Sequence, residues 1–377
     1  MKINLKERNF LNLGYILNYF LPSYIFFICY ILGEKSLSVN LAIIVSLNQL
    51  LIFSMSAHKR NLFLSKLELN NLSKTIIQRL LLSMIIIFIN IIFLKYYFKF
   101  NFEDKYLYLF VIFLILSVWI KELIIFLFEK INQETYKFFF LLEIIILFFL
   151  LIFVILEYVS ILLHIKIILI FNLIFIFVNF KNLIKFRDLN TEYNKYTNEN
   201  YWFYFSSLSI SISAFILRIL IEIYYESSLA ADYIIIFAIG SLMSSIFINS
   251  FGIKIILNHK FMPKIFKLNL YMYFFSGVIF FIINLYDNSI IPISKILWPT
   301  LFGSLIFFAS QKIRLRYFVE KKFIIKIMKK DILLSIIQIL LFFVILVINK
   351  NLMNFYYLII SFISIYLYYF FNYRKIS

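Results

Sequence analysis

Long apolar segments alternate with short basic segments along the whole chain. Each apolar run is about twenty residues long, which is the length that a helix needs to cross a bilayer. Most of the 37 Lys and Arg residues fall in the gaps between every second pair of runs. Basic residues collect in this way in the cytoplasmic loops of membrane proteins. The pattern therefore predicts a polytopic membrane protein with both termini in the cytoplasm.

The amino-acid composition further limits the class of protein to which the chain can belong. Of the 377 residues 63% are hydrophobic, which is more than the core of a soluble domain of this size can hide. The runs do not alternate apolar and polar residues, and this disfavours a membrane barrel. Loop positions explain the formal charge of +18, so we predict no nucleic-acid partner. The single cysteine, Cys29, excludes a disulfide within the chain.

The apolar runs predict an all-α fold with twelve membrane-spanning helices. The basic residues assigned to the outer side are few, and this bias sets the orientation in the inner (plasma) membrane; they are Lys35, Lys95, Lys99, Lys105, Lys166, Lys295 and Lys350. The predicted helices cover residues 10–32, 37–57, 77–95, 106–128, 136–157, 159–180, 203–226, 229–257, 268–286, 290–310, 331–349 and 353–373.

The longest polar stretch, residues 181–202, follows the sixth predicted helix. We interpret it as a cytoplasmic linker between an N-terminal six-helix lobe, residues 1–180, and a C-terminal six-helix lobe, residues 203–377. An even number of spans puts both lobes in the same orientation. The spacing therefore permits a parallel repeat, with a pseudo-two-fold axis along the membrane normal.

Polar side chains are concentrated on the first two predicted helices of each lobe. The first and second helices carry Asn18 and Gln49, and the eighth carries Ser241, Ser245 and Asn249. Residues three or four apart share one helix face, and such a face marks either close helix packing or a wet cavity. We predict that these side chains contact the substrate in a central cleft. The seventh helix carries the longest such stripe, formed by Ser207, Ser211, Ala214, Arg218 and Glu222.

Arg218 and Glu222 lie one turn apart inside the seventh predicted helix. Charges in hydrocarbon are unfavourable unless they meet each other or water. One interpretation is an ion pair that locks two helices. The other is a substrate site in which the Arg218 guanidinium binds a phosphate through paired hydrogen bonds, with Glu222 holding it.

Three other charges interrupt apolar runs. Lys121 and Glu122 lie about two turns from the inner end of the fourth predicted helix, within reach of the interface for a long Lys side chain. Lys121 is also a candidate for the substrate site. Glu143 has no local partner in the sequence and can be protonated in an apolar setting. We predict Glu143 and Glu122 as candidate ion-coupling groups.

A strongly basic segment, residues 312–330, carries eight Lys and Arg residues among aromatic and aliphatic ones. Segments of this kind lie along an anionic membrane leaflet, although simple topology anchors have the same composition.

Several chemistries are disfavoured. The six glycines are scattered, so no phosphate-cradling loop occurs. No cluster of His and carboxylates has metal-ligand spacing, and no G-x-S-x-G elbow is present. We therefore predict no cofactor, no metal and no enzymatic activity. A membrane-embedded glycan polymerase or acyltransferase remains the alternative, and an exporter of small molecules is a third.

The seventh and eighth predicted helices carry a family resemblance. The segment SISAFILRILIEIYYESSLAADYIIIFAIGSLMSSI ends at residue 246, and SMSAHKRNLFLSK covers residues 54–66. Both resemble a polysaccharide flippase of the O-antigen type, in the multidrug/oligosaccharidyl-lipid/polysaccharide exporter superfamily. Arg218 matches the Arg of that family's "DR" pair, but Leu217 replaces the acid. Ala231, Asp232 and Tyr233 stand where the family has "G-x-Y".

The resemblance implies two six-helix lobes around a cavity that opens alternately to either side of the membrane. It implies a secondary transporter that flips polyprenyl-pyrophosphate-linked oligosaccharide for surface polysaccharide biosynthesis. The expected partners are this lipid-linked oligosaccharide, membrane lipids and other polysaccharide-assembly proteins.

Overall fold

The computed structural model of the chain describes residues 5–66, 72–97, 104–131, 135–156, 159–184, 198–257, 298–313 and 324–367. Within these ranges the chain is almost entirely helical and contains no strand. A helix satisfies its own backbone hydrogen bonds, which is what an apolar segment in lipid requires. The chain divides into two compact units, unit 1 at Met1–Tyr196 and unit 2 at Thr197–Ser377.

Unit 1 contains six described helices, each on a predicted span. They are α1 at Leu5–Ile31, α2 at Lys35–Lys66, α3 at Leu72–Tyr97, α4 at Asp104–Ile131, α5 at Thr135–Ile155 and α6 at Ile161–Ile184. A tight turn joins α1 to α2, where Gly33 has a positive φ of 83°. The Glu34 amide donates to the Cys29 carbonyl at 2.9 Å, which closes the end of α1 as in a Schellman motif.

Helix α4 is the centre of unit 1, because it packs against α1, α2, α3 and α6. Its apolar span is 72% buried, whereas the span of α3 is only 28% buried. The exposed side chains of α3, α5 and α6 are mainly apolar, and Phe177 is 83% exposed. A bilayer provides the apolar surroundings that such surfaces need.

Unit 2 contains five described α-helices and a short 3₁₀ helix. They are α7 at Asn198–Tyr224, α8 at Ser227–Leu257, α9 at Trp298–Ile313, α10 at Ile324–Ile348, η1 at Lys350–Phe355 and α11 at Tyr356–Ile365. Helix α9 packs against α8 and α11, and α7 packs against α10. The predicted ninth helix, residues 268–286, lies outside the described residues, as do most of the predicted linker residues.

Within the described ranges, six helices are long and apolar enough to cross a membrane, and they are α2, α3, α4, α6, α7 and α10. Shorter apolar stretches lie in α1, α5 and α8. These helices indicate a multi-pass membrane protein. The count of twelve spans stays a prediction.

Candidate functional site

A charge cluster, formed by Arg79, Lys121, Glu122 and Glu143, lies inside unit 1. The Lys121 side chain is fully buried, and its ammonium forms an ion pair with the Glu143 carboxylate of α5. The Phe175 ring of α6 lies 5.2 Å from the same ammonium. Removing either member of a buried ion pair leaves the other charge without compensation and destabilises the folded protein. The pair therefore joins α4 to α5 at the core of the unit.

The second pair of the charge cluster lies beside the first. The Arg79 guanidinium of α3 is 3.2 Å from the Glu122 carboxylate, and its side chain is only 3% exposed. The guanidinium also donates to the Trp119 carbonyl oxygen and lies 5.0 Å from the centre of the Trp119 ring. Because Lys121 and Glu122 are adjacent on α4, the two pairs tie α3, α4 and α5 together.

The structure corrects one interpretation drawn from the sequence and adds two observations. Lys121 does not extend to the membrane interface, because its ammonium is buried against Glu143. Among the described residues, Glu143 has no partner on its own helix, as the sequence indicated, but it pairs with Lys121 of α4. Arg79, which the sequence did not single out, is also buried, with only 2% of the residue exposed. The roles of Lys121 in substrate binding and of Glu143 and Glu122 in coupling stay predictions.

Asn18 and Gln49, predicted to line the cleft, differ in their surroundings. Asn18 is buried and donates to the Val118 carbonyl oxygen of α4 at 3.1 Å, so it acts as a packing contact. Gln49 is half-buried. Its neighbour Asn48 forms a reciprocal amide pair with Asn90 of α3, at 2.9 and 3.0 Å. Such hydrogen bonds hold membrane helices together, so α2 and α3 have a polar link that the sequence did not reveal.

In unit 2 a polar ladder joins α7 to α10. Its rungs are Ser206 with Asp331, Ser209 with Ser335 at 3.5 Å, and Ser213 with Gln338 at 3.0 Å. The members of each pair are 125 or 126 residues apart, so the two helices run parallel and in register. The ladder places a carboxylate, Asp331, in a fully buried position.

Beyond the ladder, the same register continues into the turn between α7 and α8. There the Tyr225 hydroxyl donates to the Lys350 carbonyl oxygen at 3.1 Å. Burial raises the pKa of Tyr225 to about 12, so this hydroxyl keeps its proton into more alkaline solution than an exposed tyrosine does.

The predicted stripe of α7 lies next to the ladder face rather than on it. Ser211 is buried and donates to the Ser207 carbonyl oxygen of its own helix at 2.9 Å. Ala214 is exposed, whereas Arg218 and Glu222 are half-buried. The Arg218 charge interacts with the buried hydroxyl of Tyr357 on α11. The stripe therefore places a guanidinium and a carboxylate within the apolar span of α7.

The predicted residues of α8 are described in part. Ser241 is half-buried, and Ser245 and Asn249 belong to the same helix, although their side chains lie outside the described part of the structure. Next to Ser241, Gly240 contacts Ser304 of α9. A side chain on Gly240 would clash with Ser304, so small residues on this face permit close packing of α8 and α9.

The described residues contain no group of three or more His, Cys, Asp and Glu side chains that could hold a metal ion. The polar groups of the candidate site are mainly ion pairs and hydrogen-bonded amide side chains inside apolar helices. No protein-family model, curated protein or solved structure matches the chain. The family resemblance of α7 and α8 therefore stays a prediction.

Proposed function

We propose that the chain is a secondary transporter that flips polyprenyl-pyrophosphate-linked oligosaccharide across the inner membrane by alternating access. The observation that carries the proposal is the half-buried position of Arg218 and Glu222 on α7. Arg218 lies six residues, or about 9 Å, before the last residue of the helix. A guanidinium at this depth in an apolar helix favours a water-filled path and an anionic substrate.

The chemistry of Arg218 suits a pyrophosphate. A guanidinium makes paired hydrogen bonds to phosphate oxygens, which a pyrophosphate supplies. Glu222, one turn away on α7, would hold the guanidinium when no substrate is bound. The oligosaccharide would pass along the polar stripes, and the prenyl chain would stay in the surrounding lipid.

Hydrogen bonds within the two units support the two-lobe part of the proposal. Asn40 of α2 and Tyr108 of α4 are bonded and are 68 residues apart. Ile236 of α8 and Ser304 of α9 are bonded across the same separation of 68 residues. Bonds between α1 and α5 and between α7 and α10 likewise join residues 123 and 125 apart. These matching separations favour two copies of one six-helix module.

In this proposal, the residues that couple transport to the binding of an ion lie in unit 1. The Oε2 atom of Glu143 is buried and accepts no hydrogen bond from the described residues, while the other carboxylate oxygen meets Lys121. A proton arriving at Glu143 would neutralise the carboxylate and weaken the ion pair. The link between α4 and α5 would then depend on protonation, as a coupled transport cycle requires.

Replacing Arg218 with alanine tests the proposal. We expect Arg218→Ala to slow transport by about tenfold to 100-fold, because a charge-assisted hydrogen bond contributes about 1.5–3 kcal/mol. Purified protein would be reconstituted into vesicles with a fluorescent prenyl-pyrophosphate disaccharide. Quenching from outside with dithionite would then report the rate at which the labelled headgroup changes leaflet.

Two further variants make the result interpretable. Arg218→Lys keeps the charge and should retain part of the activity, while Lys350→Ala removes an exposed basic residue of the same unit and should have no effect. A normal rate in Arg218→Ala would remove Arg218 from the substrate site. No movement of the probe by the wild-type protein would count against flippase activity itself.

A further inference from the structure

Three lysines lie on one face of the first two turns of α10. Lys326, Lys329 and Lys330 are spaced at three and four residues, which places them on the same side of the helix. Lys326 and Lys329 are exposed. The part of α10 without charged residues begins just after them, at Ile332. This face therefore lies at the end of a membrane-spanning helix, at the depth of lipid headgroups.

Contacts with two other helices shape this lysine face. The Lys329 ammonium lies 5.1 Å from the centre of the Trp202 ring of α7, within the range of a cation–π interaction. Lys330 donates to the Leu367 carbonyl oxygen, beyond the end of α11, at 2.6 Å. Tryptophan is enriched where a membrane protein meets the headgroup layer. The surface is thus built from the ends of three helices of unit 2.

The electrostatics of the lysine face favour an anion. The charges of Lys326 and Lys330, one turn apart, interact repulsively. The acidic residue that follows in the sequence, Asp331, is fully buried and hydrogen-bonded to Ser206. Its carboxylate therefore points into the α7–α10 ladder, while the ammonium groups of Lys326 and Lys329 are exposed. A phosphate placed beside them would relieve the repulsion.

We propose that Trp202, Lys326 and Lys329 form a binding site for the headgroup of an anionic phospholipid. The lipid phosphate would contact the two exposed ammonium groups, the Trp202 ring would position Lys329, and the acyl chains would cover the apolar surface of α10. Leu333, Ile336 and Leu340, exposed on the two to three turns that follow Lys329, offer such a surface. The site is separate from Arg218 and does not depend on the transported substrate.

Lipid titration of the purified full-length protein in detergent tests the site. Unfolding temperature would be followed as phosphatidylglycerol is added, with phosphatidylcholine and inorganic phosphate as the other two arms. We expect phosphatidylglycerol alone to stabilise the protein. In the double variant Lys326→Gln and Lys329→Gln its apparent Kd should rise about 25-fold, because each lysine near an anionic lipid contributes about fivefold.

Control variants distinguish a specific lipid-binding site from nonspecific attraction between lysines and anionic lipid. Lys350→Gln removes an exposed lysine just beyond the opposite end of α10 and should leave the Kd within about twofold. Trp202→Leu should weaken phosphatidylglycerol binding about threefold, whereas Trp202→Phe should retain most of it. Equal stabilisation by phosphatidylcholine, displacement by inorganic phosphate, or unchanged binding in the double lysine variant would each overturn the proposal.

Discussion

Gly303→Leu is expected to prevent unit 2 from folding. A Cβ atom at Gly303 would lie closer than 3.0 Å to backbone atoms of Tyr357 and Leu358, so α9 and α11 could not approach each other. Overpacking a tight contact costs about 1–3 kcal/mol for flexible neighbours and more where backbone must move. Even Gly303→Ala should therefore cost about 3 kcal/mol or more. Thermal unfolding followed by size-exclusion chromatography in detergent would measure the loss.

Two other glycines provide a graded comparison. Gly240→Ala would press mainly on the Ser304 side chain, and we expect the additional change Ser304→Gly to restore part of the lost stability. Gly33→Ala meets no neighbouring atom within 4 Å but keeps a positive φ, so it should cost about 1 kcal/mol. If Gly303→Ala were no more damaging than Gly33→Ala, the close contact of α9 with α11 would be wrong.

Breaking the ion pair of Lys121 and Glu143 is the second large effect expected. Lys121→Met or Glu143→Leu alone should destabilise the protein by about 3–5 kcal/mol, because each leaves a buried charge without its partner. The double variant should be within about 1 kcal/mol of the wild type, since an apolar pair of similar volume fits the same space. Unfolding temperatures of all four proteins in one detergent complete the cycle.

Transport by the double variant then separates stability from coupling. If Glu143 binds the coupling ion, the double variant should fold normally but lose ion-driven movement of substrate. Retained ion dependence would show that the pair has a structural role alone. Equal stability of the single variants and the wild type would contradict the buried pairing of Lys121 and Glu143.

The helices of this protein could be predicted because lipid imposes a simple rule on its sequence. A segment that crosses hydrocarbon must be apolar for about twenty residues and must satisfy its own backbone, so hydropathy marks its position. Helix α10 shows a limit of this rule. Its apolar core was predicted from residue 331, but the helix begins at Ile324, because lysines at a helix end extend into the headgroup layer.

The contacts within the site were harder to predict than the helices. The stripe on α7 was visible because its members are three and four residues apart. The ladder face beside it was not, because its partners on α10 are 125 residues away. Nothing local distinguishes Asp331, which is buried in the ladder, from a loop charge beside Lys330. The ion pair of Arg79 could not be predicted for the same reason, because its partner Glu122 belongs to another helix. Pairings between helices depend on packing angle and register, which single-helix periodicity does not contain.

The polar ladder between α7 and α10 has a mechanical consequence. Its side-chain rungs share one register, so sliding either helix by a single residue would break all of them together. Tilting the pair as a unit would leave every rung intact. Relative motion of this part of the molecule should therefore be a rigid rocking of both helices, with shear suppressed along their shared face.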